Sequence, residues 1–317
     1  MEMKAFLIKN LTRLSLLLGS WPVRFIAWWI TTGYFLFRPE RRRASIFLYQ
    51  TIFPARNTWY HLYCAWRQFH SFSATYGDRI DFDRERGVSI STQGAEGIME
   101  AAEEGKGGII LISHVGSFEI AARAFRETGK RHLIIMGERE AKQVARDQRE
   151  NLKAQGIEIL IASGQEDSLY GGIEALRFLR EGGFVSLAGD IVWTDPRSLV
   201  GVRLFDREVG LPAGPHLLAL VSGAPLFFLF TFRMARSKHQ IILQAPRYIR
   251  ASSRSERKKA IQESAQAYAH ALEEIVRQHP FQWYIFEPFF RTDRADKGMS
   301  VSGHSPAEVG RRQEERI

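Results

Sequence analysis

GKGGIILISHVGSFEIAARAF, residues 105–125, is the stretch that decides the fold. Its apolar run GGIILIS (107–113) has the texture of a strand buried on both faces, as in sheets covered by helices on either side. SFEIAARAFRETG then reads as a helix ending at Gly129, with Gly116 free to turn the chain between them. The same punctuation recurs downstream. RHLIIMG (131–137), IEILIAS (157–163), FVSLAGD (184–190), APLFFLFTFR (224–233) and HQIILQAPRYI (239–249) read as strands. EREAKQVARDQRENLKAQG (138–156), SLYGGIEALRFLREGG (168–183), PAGPHLLALVSG (212–223) and SERKKAIQESAQAYAHALEEIVRQHP (255–280) read as helices. Such alternation predicts an α/β fold, a mixed sheet with helices on both faces.

Ahead of it lies a different texture. LSLLLGSWPVRFIAWWITTGYFLF (14–37) is the most apolar segment, but Pro22 and Arg24 divide it into pieces too short for an unbroken membrane span. Trp21, Trp28, Trp29 and Tyr34 suit a headgroup region, and RPERRR behind them suits anionic lipid heads. The expectation is a helical membrane anchor over 1–43, interfacial or partly inserted, with a single tilted span as the alternative. Residues 44–80 carry apolar side chains at helical spacing and open an α/β domain over 44–293; residues 294–317 form a polar tail expected to be disordered.

The formal charge is +9, and residues 1–60 alone hold nine Lys or Arg against Glu2 and Glu40, together with four of the seven tryptophans. A segment both basic and greasy favours a bilayer over nucleic acid. Cys64, the single cysteine, excludes an internal disulfide and a thiolate zinc site, and reads as packing.

Several chemistries lack their motifs: no G-x-S-x-G elbow, no P-loop, no H-E-x-x-H and no dinucleotide fingerprint occur. What remains is HVGSFE, with His114 and Glu119 straddling the carboxyl end of a strand and the start of a helix, where open α/β sheets bind ligands. A carboxylate on one imidazole nitrogen would make His114 a general base, and the helix N-terminus would offer N–H groups to an anion. The plainer reading is a structural pair at a strand end.

Five blocks in order bear on that choice: FLFRPERRRAS, GGIILISHVGSFEIAARA, LREGGFVSLAGDIV, VRLFDREVGLPAGPHLLALVSGAPLFFLFTFR and HPFQWYIFEPFF. On these, residues 14–290 resemble the lysophospholipid acyltransferase superfamily, in its lipid A late acyltransferase branch. The resemblance implies a glycerolipid-acyltransferase-like α/β sandwich. His114 would deprotonate an acceptor hydroxyl, with Glu119 orienting it, and the hydroxyl would attack the thioester of acyl-ACP or acyl-CoA directly. It implies Arg139, Asp190, Arg207 and Gly214 as substrate-lining positions, no metal and no cofactor beyond the acyl co-substrate. The partners implied are the membrane phospholipid surface, a lipid or glycolipid acceptor and an acidic acyl carrier protein, with no nucleic acid. The location implied is the cytoplasmic face of a bacterial inner membrane. For Arg139 and Arg207 a solvated surface charge is the alternative, for Asp190 a loop cap. Two other functions fit the same residues: a non-catalytic lipid-binding homologue, or a hydrolase or thioesterase activating water.

Overall fold

The computed structural model describes residues 21–83, 88–117, 120–122, 125, 129–137, 152, 156–162, 164–191 and 198–290. The tail expected over 294–317, most of the helix expected over 138–156, and the segment before residue 21 lie outside them.

Three helices come first: α1 (Trp21–Phe37), α2 (Pro39–Ile52) and α3 (Thr58–Asp83). The helical texture of 44–80 is thus two helices, parted around Pro54, whose ring cannot continue a helix. Then follow β1 (Ser89–Gln93), α4 (Glu96–Glu103), β2 (Gly108–Ile112), β3 (His132–Gly137), β4 (Ile157–Ala162), α5 (Gly164–Arg180) and β5 (Phe184–Ala188). A hairpin of β6 (Leu199–Leu204) and β7 (Arg207–Pro212) leads to α6 (Gly214–Ser222), β8 (Leu226–Ala235), β9 (Lys238–Leu243) and α7 (Arg254–Gln278). Ser253 caps α7 by accepting from the Glu256 N–H, and the Glu256 carboxylate reaches back to accept the N–H of Ser252, just before the cap.

Seven strands form one sheet in the order β1-β9-β8-β2-β5-β3-β4. Every neighbouring pair is parallel except β8 with β9. The expected strand and helix alternation is therefore present as a mixed, mostly parallel sheet. The sequence reading missed β1, α4 and the two-stranded hairpin, and it ran β9 on to residue 249, past Pro246.

Successive side chains of the central strands enter different cores, as the period-2 geometry of a strand demands. Ile109 and Leu111 of β2, with Phe228 and Phe230 of β8, join the core that includes Phe178 of α5, Ala219 of α6 and Leu272 of α7. Ile110, Phe227 and Leu229 point into a second core with Ile98 and Ala101 of α4 and with Ile120 and Phe125. Phe227, Phe228, Phe230 and Phe232 are all fully buried, so the phenylalanine-rich β8 is a core strand and not the wall of an open groove.

The helical layer packs onto this sheet. Phe35 of α1 meets Phe69 of α3 edge to face, and Arg24 of α1 pairs with Asp78 of α3 at 2.7 Å. Cys64 is buried within the layer. Among the described residues no helix is long and apolar enough to cross a membrane. The outer face of α1 is nonetheless apolar and largely aromatic: Trp21, Phe25, Trp29 and Ile30 are exposed, and Phe37 is 83% exposed.

Candidate active site

β2 and β5 are adjacent and parallel, with Ile112 opposite Ala188. His114 and Asp190 each lie two residues beyond that pair, at the same height off the carboxyl end of the sheet. Equal offsets from an in-register pair bring the two side chains together. Asp190 Oδ1 lies 2.8 Å from His114 Nδ1, and Asp190 Oδ2 accepts the backbone N–H of His114 at 2.7 Å. The carboxylate is 1% exposed, while the His114 side chain keeps 26% exposure.

A third donor completes the clamp. The indole N–H of Trp283, itself fully buried, reaches Asp190 Oδ2 at 2.8 Å. A carboxylate collecting N–H donors has only acceptor sites to offer, so Nδ1 is the protonated nitrogen and Nε2 the basic one. The residue that follows α7 and its short 3₁₀ turn therefore fixes the tautomer of a histidine 169 positions earlier in the chain.

Residues 282–284 run antiparallel to 114–116 as a short bridge. Tyr284 N–H donates to His114 O and Gly116 N–H to Gln282 O, each at 2.9 Å. From the helical layer, Gln68 of α3 donates to the carbonyls of Trp283 and Ile285, and Ser45 of α2 donates to Gln68. Tyr49 of α2 donates to Pro280 O at 2.8 Å. Below the loop, the Thr231 hydroxyl of β8 is shared between the carbonyls of Val115 and Ser117.

Two glycines make the approach possible. Gly116 has φ +68°, and a Cβ there would stand 2.1 Å from the Thr231 carbonyl oxygen. A Cβ on Gly189 would stand 2.6 Å from the ring of Tyr268 and 2.7 Å from Leu111. Both are places where two backbones, or a backbone and a buried ring, come too close for any side chain. Burial of Tyr268, and then the nearby Asp190 charge, keep its hydroxyl protonated far above the usual tyrosine range.

The model matching this sequence is that of the bacterial lipid A biosynthesis acyltransferases, over residues 61–292. The chain belongs to that family. The matched span runs from α3 to the end of the described chain and takes in His114, Asp190 and Trp283. A search of curated proteins finds no match. Membership of the lipid A acyltransferase family assigns the chain to acyl transfer onto a lipid acceptor.

The six residues singled out from sequence fall into three groups. His114 and Asp190 come together, with the Asp190 oxygens held by His114 and Trp283. Arg207 opens β7 with its guanidinium 5.5 Å from the Phe47 ring, on a separate cavity of about 760 Å³ shared with Gln50, Phe205 and Arg277. Gly214 is the first residue of α6 and faces open space. Glu119 and Arg139 lie outside the described residues. Among the described residues, the partner of His114 Nδ1 is Asp190. Trp283, Gln68 and Thr231 were missed; only the block HPFQWYIFEPFF pointed toward the first of them, without a role.

Proposed function

We propose that this family member transfers a fatty acyl group from a carrier thioester to a hydroxyl of a lipid or glycolipid, with His114 as general base. The observation that carries the reading is the buried Asp190 carboxylate on His114 Nδ1, which leaves proton transfer to Nε2. The acceptor O–H gives its proton to Nε2 as its oxygen bonds to the thioester carbonyl carbon. The tetrahedral intermediate then expels the thiolate, which takes the proton back from the imidazolium. Asp190 stabilises that imidazolium while it exists, and Trp283 holds Asp190 in place.

Glu119 belongs to this site by resemblance alone, as the second member of the H-x4-E block, and Arg139, Arg207 and Gly214 by the same resemblance line the path of substrate. The donor is acyl-ACP or acyl-CoA, and no metal or further cofactor enters the reaction. The site works at the cytoplasmic face of a bacterial inner membrane, with the exposed aromatic face of α1 lying in the interface and the arginines at 38 and 41–43 over the lipid heads. The acyl chain and the lipid acceptor both favour the bilayer, so this placement brings them together at the sheet edge.

The test is label transfer. Membranes holding the wild type or His114→Ala receive labelled acyl-ACP or acyl-CoA and a total lipid extract. A new labelled lipid formed only by the wild type supports the reading and names the donor. Free labelled acid formed without any acceptor would replace it with hydrolysis.

A further inference from the structure

A cavity of about 550 Å³ opens beside α1, within the range that holds small ligands. Trp28 of α1, Trp66, Arg67 and His70 of α3, Arg233 of β8 and Phe281 form much of its wall, and among the described residues no carboxylate lines it. It does not include His114.

The groups around it differ in what they have left to bind. Arg233 is already committed: it donates to Asp78, a carboxylate 1% exposed. Arg67 is exposed and lies over the Phe281 ring at 5.3 Å, with no carboxylate at ion-pair distance among the described residues. His70 is wedged between the indoles of Trp28 and Trp66, at 5.2 and 4.4 Å, and its Nε2 meets the Thr32 hydroxyl at 3.2 Å. Burial, and then the charge of Arg67, hold this imidazole below its ordinary pKa, so it is neutral. Among the described residues no acceptor takes the indole N–H of Trp28 or Trp66. Among the described residues the mouth is therefore a guanidinium with spare donors beside two indoles with spare donors, and no carboxylate answers them.

Its surroundings select the kind of anion. Trp28 continues through Trp29, at 5.0 Å, to Phe25, at 6.4 Å from Trp29, which is the exposed aromatic face of α1. A ligand seated on Arg67 can thus lay an apolar part along that face. We propose that this cavity binds the glycerophosphate headgroup of an anionic membrane phospholipid: its phosphate on Arg67, its glycerol against the Trp28 and Trp66 N–H groups, its chains over Phe25 and Trp29. A guanidinium fork matches phosphate oxygens in pairs, and indoles favour the headgroup depth. The site stands apart from the transfer reaction and does not depend on it.

The experiment uses full-length protein in a non-ionic detergent and a fluorescent short-chain phosphatidylglycerol. Competitors are unlabelled phosphatidylglycerol, phosphatidylcholine, glycerol 3-phosphate and inorganic phosphate. Binding should saturate, and phosphatidylglycerol should compete best. Arg67→Gln should weaken it about tenfold, the loss expected for one charge-assisted hydrogen bond. Arg257→Gln, the same charge change on an exposed arginine of α7 away from the cavity, should alter it less than about twofold. The near-ultraviolet circular dichroism of the tryptophans checks that each variant is folded. Equal losses in the two variants, or binding that never saturates, would overturn the site in favour of diffuse attraction. Inorganic phosphate competing as well as the lipid would overturn the lipid assignment and leave a soluble phosphate as the ligand.

Discussion

Asp190→Asn isolates what the buried carboxylate does. The side chain keeps its shape, but one oxygen becomes an NH2 group. If that NH2 faces the backbone N–H of His114 and the indole N–H of Trp283, two donors meet a donor, at a cost of about 1–3 kcal/mol each. If it faces Nδ1 instead, only one contact is affected, and the imidazole relieves it by moving its own proton from Nδ1 to Nε2. The second arrangement is favoured by about one hydrogen bond, or 1–3 kcal/mol. It puts a proton on the nitrogen that must accept one, and it removes the charge that steadies the imidazolium.

The expected loss in kcat is therefore about 10²–10⁴, the usual scale of general base catalysis, with KM little changed. Acyl transfer to lipid is the assay, with His114→Ala as the floor, and the ¹⁵N shifts of His114 should show the proton on Nε2. Thermal unfolding should move only by the equivalent of about 1–3 kcal/mol. A variant retaining about a third or more of wild-type kcat, or one whose His114 keeps its proton on Nδ1, would refute the reasoning.

Two further expectations concern stability. Burial acts to raise the Asp78 carboxyl, but the His239 ring 3.4 Å away and hydrogen bonds from Arg233 and Arg24 outweigh it and hold the group well below the carboxylate range. Asp78→Asn leaves the partly buried Arg24 and Arg233 without their counter-charge and should cost about 3–5 kcal/mol in denaturant unfolding; a loss under about 1 kcal/mol would show that water takes over the role. The Asp78 contribution is fully present above about pH 4 and is lost as pH falls below it. His132 and His216 behave in the opposite chemical sense but along the same pH direction. Burial holds both imidazoles down at about 4, against about 6.5 in the unfolded chain. Between those values the unfolded state binds more protons, so stability should fall as pH drops from about 6.5 to 4, by up to about 3 kcal/mol per histidine. Unfolding midpoints at several pH values measure the slope, and His132→Gln, which preserves a partner for Ser186, should flatten it; an unchanged slope would sink the assignment.

Much of this molecule is legible along the chain because its determinants are local. The apolar runs of β2, β5 and β8 announce strands buried on both faces, and the run of charged and alanine residues in α7 announces a helix, each within its own segment. His114 too stands out locally, at the end of such a strand beside a glycine. The hairpin of β6 and β7 and the edge strand β1 escaped because short, half-exposed strands carry too little apolar periodicity to register. The aromatic segment before residue 38 reads along the chain as one suited to lipid, whereas its docking onto α3 through Asp78 depends on a partner 54 residues away.

The partner of His114 belongs to the second kind of information. Sequence proximity points to Glu119, five residues on; register in a parallel sheet adds Asp190, 76 residues on, because β2 and β5 pair with their ends level. Nothing within either strand states which strand will be its neighbour, since in a parallel sheet the pairing is set by crossovers and by the packing of helices on both faces. Trp283 is further removed still, brought to Asp190 by α7 and by the grip of Gln68 on the chain that follows it. Sequence alone determined which chemical groups stand at strand ends. The tertiary structure decided which of them meet, because strand order and register are properties of the assembled sheet.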